Sequence, residues 1–167
     1  MSNIAYRAAG ISLVSALAFG LAPAANAQVL NHKDLSLAMA TTIALTAIET
    51  CKANGYAVSA HVLGREGQVV LGVRHDSAGL ATFENSMKKA YTARTFSRSS
   101  GEFANGVKGN PLAGALRLTN IVPAQGALPI KIGNETIGAV GVSGAPGGDK
   151  DEACAKAGIE KVTADLK

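Results

Sequence analysis

The chain has 167 residues, 47% of them hydrophobic and 17% charged, with a formal net charge of +4. That balance excludes a disordered chain and fits one globular domain. With 3 Tyr, 4 Phe and no Trp, the chain lacks a stacking platform for single-stranded nucleic acid, and no Lys/Arg run marks a duplex-binding patch.

The N-terminal segment reads as a secretory signal peptide. Arg7 supplies the positive charge, residues 8–21 an uncharged apolar stretch, Pro23 a helix break and Ala25-Asn26-Ala27 a small-residue cleavage site. The stretch is shorter than the roughly 20 apolar residues of a membrane span. The sequence therefore divides into a signal, 1–27, and one domain, 28–167, beginning at Gln28 and expected in the periplasm or outside the cell. In that oxidising compartment Cys51 and Cys154 read as a disulfide closing a long loop, with two buried free thiols as the alternative. Neither CxxC nor CxxCH spacing occurs, so thioredoxin-like chemistry and covalent haem attachment lose their signature.

Residues 34–52 read as a helix with apolar Leu35, Leu37, Met39, Ile43, Leu45 and Ile48, stopped at Asn54-Gly55. Its polar positions are mainly Ser and Thr, so this helix is expected to be covered on more than one side, as at a subunit interface. Residues 56–63 and 68–74 read as strands around the turn Gly64-Arg65-Glu66-Gly67. Residues 82–98 carry Phe83, Met87, Ala90 and Tyr91 at helical spacing, and residues 99–114 read as irregular. Residues 128–132 and 136–143 form a hairpin through Gly133-Asn134. A glycine-rich loop, 144–148, then precedes a helix over 149–166 in which Asp149 and Glu152 resemble a capping box. The order α-β-β-α-loop-β-β-α, with strands in adjacent pairs, predicts an α+β domain with an antiparallel sheet.

Few motifs carry chemistry. Gly141-Val142-Ser143-Gly144-Ala145 lacks the final Gly of a nucleophile elbow, and no His follows His75. No dinucleotide fingerprint or Walker loop is present. The loop at 144–148 is a helix N-terminus able to take an anion, or simply a tight turn. His32, His61 and His75 stand without paired zinc spacing, although one His suffices as an axial haem ligand. Between residues 88 and 117 the charges are Lys88, Lys89, Arg94, Arg98, Lys108 and Arg117 against Glu102 alone. This segment is a carboxylate-binding surface or a solvated helix face. No nucleophile–base pair is recognisable, which ranks a catalytic role last.

Three blocks in order carry a resemblance: Ser86-Met87-Lys88-Lys89-Ala90-Tyr91-Thr92-Ala93, then Gly126-Ala127-Leu128-Pro129-Ile130, then Ile137-Gly138-Ala139-Val140-Gly141-Val142-Ser143-Gly144 with Asp151 and Cys154-Ala155-Lys156-Ala157-Gly158. Together they resemble the GlcG/HbpS-like, or haem-degrading, family, which is similar to the C-terminal domain of PduO-type proteins. The first turn departs from it: Arg65-Glu66 stand where relatives commonly carry Asp and a small residue. The resemblance implies a profilin-like or PAS-like fold, assembly into homo-dimers or larger oligomers, and haem as cofactor. It also implies haem storage or redox sensing with a periplasmic or membrane sensor partner. The alternative it leaves is a non-catalytic scaffold accessory to small organic-acid metabolism. On this resemblance Lys88, Lys89 and Arg94 would pair with haem propionates, Tyr91 would cover the macrocycle, and His75 or Thr92 would approach iron.

Overall fold

The computed structural model describes residues 28–110 and 113–167, so the expected signal at 1–27 lies outside the described residues. Residues 28–31 are exposed and without regular structure, and His32–Lys167 form one unit.

The first helix, α1 (Leu37–Ala53), starts where the Ser36 hydroxyl accepts the Met39 N–H. It buries the stripe Ala40, Ile43, Ala44, Ala47, Ile48 and Cys51, the spacing of one helical face. The strands are β1 (Ser59–Leu63), β2 (Val69–Arg74), β3 (Ala127–Ile132) and β4 (Glu135–Ser143). They form one antiparallel sheet in the order β2-β1-β4-β3. The remaining helices are α2 (Thr82–Phe96), α3 (Ser100–Val107) and α4 (Gly148–Val162). The α+β architecture expected from strand pairing is thus the observed one.

Strand alternation decides what each sheet face meets. Ala60, Val62, Val140 and Val142 join Ile43, Ala47 and Cys154 in the main core, under α1 and α4. Ala139 and Ala127 instead meet Ala93 of α2 on the other face. Small residues there admit α2 closely: a Cβ on Gly141 would stand 2.3 Å from the Ser86 carbonyl and 2.6 Å from the Ala90 nitrogen. Gly158 plays the same part between α4 and α1, where a Cβ would meet the Ile43 carbonyl at 2.5 Å. Cys51 and Cys154 join α1 to α4 by a disulfide between Cα atoms 5.6 Å apart, spanning 103 residues of sequence.

Two local expectations are corrected. Residues 99–114 are not wholly irregular, because Ser99 and Glu102 form a capping box that starts α3 despite its glycines. Asp149 does not cap α4: Gly147 occupies that position without a side-chain bond, and Asp149 and Asp151 lie in the first turn. The outer side of α1 is uncovered within the subunit, with Leu37 61% and Leu45 49% exposed.

Candidate functional site

The residues expected to hold a ligand all belong to α2 or the loop before it, and 100° of rotation per residue separates them. Lys88, Tyr91 and Arg94 are half-exposed, whereas Lys89 and Thr92 are buried. Lys88 lines a cleft of about 480 Å³ with Thr82, Glu84, Asn85, Val122 and Ser143. Its ammonium lies 2.6 Å from Glu84 and holds that carboxyl below its usual value. Tyr91 and Arg94 line a smaller cleft of about 180 Å³ against Arg65, Glu66 and Gly67 of the first turn. The turn is fastened from below by Asp34, whose Oδ1 accepts the Arg65 N–H at 2.8 Å and whose Oδ2 accepts from Gln68 at 3.1 Å. Burial opposes the charge of Asp34, but these donors, with Leu35 and His32, leave its carboxyl below the usual value.

Two expected ligand contacts are ruled out by burial. The Lys89 ammonium is enclosed, 2.7 Å from Asp151 and 3.1 Å from the Val142 carbonyl, so it faces no propionate. The other Asp151 oxygen accepts the Ala145 N–H at 2.9 Å. Burial pushes the Asp151 carboxyl up, against the Lys89 ammonium and that N–H, which favour its charge. The glycine-rich loop therefore already has its anion, and two aspartates in the first turn of α4 repel another. Thr92 is fully buried, its hydroxyl donating to the Lys88 carbonyl at 2.8 Å and accepting the Val122 N–H at 3.0 Å. It fastens the loop before β3 to α2 and presents no oxygen to iron.

His75 lies between β2 and α2, half-exposed. Its Nδ1 accepts the Ser77 N–H at 3.2 Å, which places the ring proton on Nε2. The nitrogen turned away from the turn is thus a donor. Metal ligation through it needs the other tautomer and costs the Ser77 bond. His75 is not a poised iron ligand, and none of the described clefts brings it together with Lys88, Tyr91 and Arg94.

A further polar row, missed in the sequence, runs between the sheet and α2. Ser59 meets Thr82 at 2.8 Å, His61 Nδ1 meets Ser86 Oγ at 2.8 Å, and Asn85 donates to Ser143 at 2.9 Å. His61 is flanked across the sheet by Gly72 and Gly141, and its ring packs edge-on to Phe83 at 4.3 Å. Burial lowers its pKa to about 4. The His61–Ser86 pair is not an activated nucleophile, because Ser86 donates its proton to the Phe83 carbonyl at 2.9 Å and is wholly buried. The glycines opposite His61 are the sequence signal for this row, since a strand interior gives up a side chain only where something approaches closely.

The antiparallel sheet with α1 and α4 on one face and α2 on the other defines a profilin-like α+β domain. The family model described as "Haem degrading protein HbpS-like" matches residues 35–160, and the chain belongs to that family. A double-mutant form of HbpS from Streptomyces reticuli is similar, with a TM-score of 0.74 and 30% identity, covering 83% of this chain and 95% of that one. A structure of a PduOC–haem complex has a TM-score of 0.69 at 23% identity, covering 76% of this chain and 94% of that one, and shares the fold. An uncharacterized 15.0 kDa protein of the dhaT-dhaS intergenic region of Citrobacter freundii is 36% identical over 86 residues. That match spans 50% of this chain and 61% of the relative's length.

Proposed function

We propose that the protein is exported and binds haem reversibly, as a store or as the haem-linked redox sensor of a membrane or periplasmic partner. Membership of the HbpS-like family across residues 35–160 carries this reading. The chain's own chemistry fits it in part. Lys88 and Arg94 offer charge-assisted bonds to propionates from the outer face of α2, with Tyr91 between them as an apolar surface. Bound haem would supply one-electron iron chemistry, and neither Thr92 nor His75 is arranged to hold the metal. Binding then rests on apolar contact and propionate pairing, in a homo-oligomer whose subunits meet through surfaces such as the outer side of α1. A non-catalytic scaffold is the second reading, favoured by the exposed Leu37 and Leu45 on that helix.

Hemin titration with the Soret band as readout tests the proposal. Saturable change is expected, and spectra identical to free hemin at excess protein would overturn it. Lys88→Ala or Arg94→Ala should each weaken binding about three- to tenfold, the scale of one exposed charge-assisted contact. His75→Ala should change it by no more than about threefold, because no ligand bond is lost.

A further inference from the structure

The largest of the described concavities lies away from the outer face of α2. The segment 97–102, β3 and the outer side of α4 enclose a groove of about 720 Å³, within the range of small-molecule sites. Its apolar surface comes from Leu128, Pro129 and Ile159.

One wall carries Arg98, whose guanidinium carbon lies 5.9 Å from the Phe96 ring and 5.6 Å from the Phe103 ring. Those rings stack at 4.5 Å and give the guanidinium an aromatic surface to lie against. Among the described residues no carboxylate lies within 4.0 Å of Arg98 or Lys131. The opposite wall carries Glu152, whose Oε2 is shut from solvent without a hydrogen-bond partner. That oxygen packs 3.3 Å from where a Cβ on Gly101 would stand. Of the other charges, Lys156 lies 3.6 Å from Glu160, and Glu102 accepts the Ser99 N–H.

The chain enters the groove at Ser97, the one non-glycine residue with positive φ among those described, at +52°. There it caps the end of α2 in the left-handed conformation that commonly closes a helix. Strand addition is discouraged along β3, where Pro129 lacks an N–H and Lys131 places a charge. The groove is shaped for a small molecule and not for a peptide strand.

We propose that this groove binds a small amphipathic zwitterion, an amino-carboxylate whose anionic group pairs with Arg98 and Lys131, whose body lies on Leu128, Pro129 and Ile159, and whose ammonium meets Glu152. Glu152 stands on the groove wall with Gln125 beside its carboxyl and the like charge of Glu102 near it, and a ligand ammonium would offset that repulsion. Burial pushes the Glu152 carboxyl up, Gln125 and Lys89 oppose the rise, and Glu102 adds to it. A bound cation would bring it down again.

The experiment is a titration of the haem-free protein, followed by amide chemical shifts, with 6-aminohexanoate and the single-charge probes hexanoate and hexylamine. Saturable shifts are expected at residues 97–102 and at Lys131 with 6-aminohexanoate, and either control should bind at least about tenfold more weakly. Glu152→Gln should reduce the affinity for 6-aminohexanoate to that of hexanoate while leaving hexanoate unchanged. Arg98→Gln should weaken both carboxylates, and Arg98→Lys should restore part of the loss. Absence of saturable shifts up to about 10 mM, tenfold above a millimolar Kd, would overturn the proposal. Equal binding of all three probes, or insensitivity to both substitutions, would do the same. Because haem is absent throughout, the outcome is independent of the haem reading.

Discussion

Replacing His61 with Asn isolates the contribution of one buried imidazole to acid stability. The Asn amide reproduces the donor at Nδ1 that meets Ser86 at 2.8 Å, but it cannot be protonated. In the folded protein burial lowers the His61 pKa from 6.5 to about 4, so between these values the unfolded chain binds a proton that the native chain refuses. Stability therefore falls with pH below 6.5, at about 1.4 kcal/mol per unit, until the folded group itself protonates near 4. From pH 7.5 to pH 5 this amounts to about 2 kcal/mol. Asp151 and Glu152 act with the opposite sign, because burial raises their carboxyl pKa values and stability is lost as pH rises through that range. Both are present in either protein, so their effect cancels in the difference. Urea unfolding of wild type and His61→Asn at pH 7.5, 6.5, 5.5 and 5.0 should show the variant less stable at neutral pH, with the gap closing by about 2 kcal/mol toward pH 5. Parallel stability curves would refute the reasoning, since they would mean that His61 protonates in the folded state without penalty.

Other perturbations test the frame around α2. Reduction of Cys51–Cys154, or the double change to Ala, should cost about 4–5 kcal/mol in urea unfolding, because the bond closes a segment of 103 residues. Lys89→Met should cost about 3–5 kcal/mol by leaving Asp151 buried and uncompensated, and Lys89→Met with Asp151→Leu should recover most of that loss. Gly141→Ala should cost about 1–3 kcal/mol, read as a lowered Tm, because the new methyl group meets the α2 backbone and not a movable side chain.

The sheet and its helices were legible because their signals are local. The short apolar run within residues 136–143, opened by the turn Gly133-Asn134, marks a strand buried on both faces, and the i, i+3, i+4 stripe of α1 specifies a helix face without knowledge of the partner. The capping box at Ser99 and Glu102 was equally local, but Gly101 and Gly106 lowered the helical signal around it. The site was harder to read because its defining contacts join distant segments. Lys89 meets Asp151 across 62 positions, and His61 meets Ser86 across 25. Charge counting grouped Lys88 with Lys89, although only packing against β4 decides which of two neighbours turns inward.

That division of α2 also limits how a haem can be held. Lys88, Tyr91 and Arg94 recur at intervals of three, so they follow one side of a single helix, Lys88 in one cleft and Tyr91 with Arg94 in another. A stripe touches one side of a planar macrocycle and leaves the other in water. At about 25 cal/mol per Å² the transfer free energy of the uncovered side is then unrealised. Thr92 and Lys89 cannot close the gap, because their inward bonds hold the loop at Val122, β4 and α4 against the helix. Turning either residue outward would break the packing that presents the stripe. On the proposed haem reading, one subunit acting alone would therefore bind weakly and exchangeably, and tight enclosure would require a second surface over the exposed side.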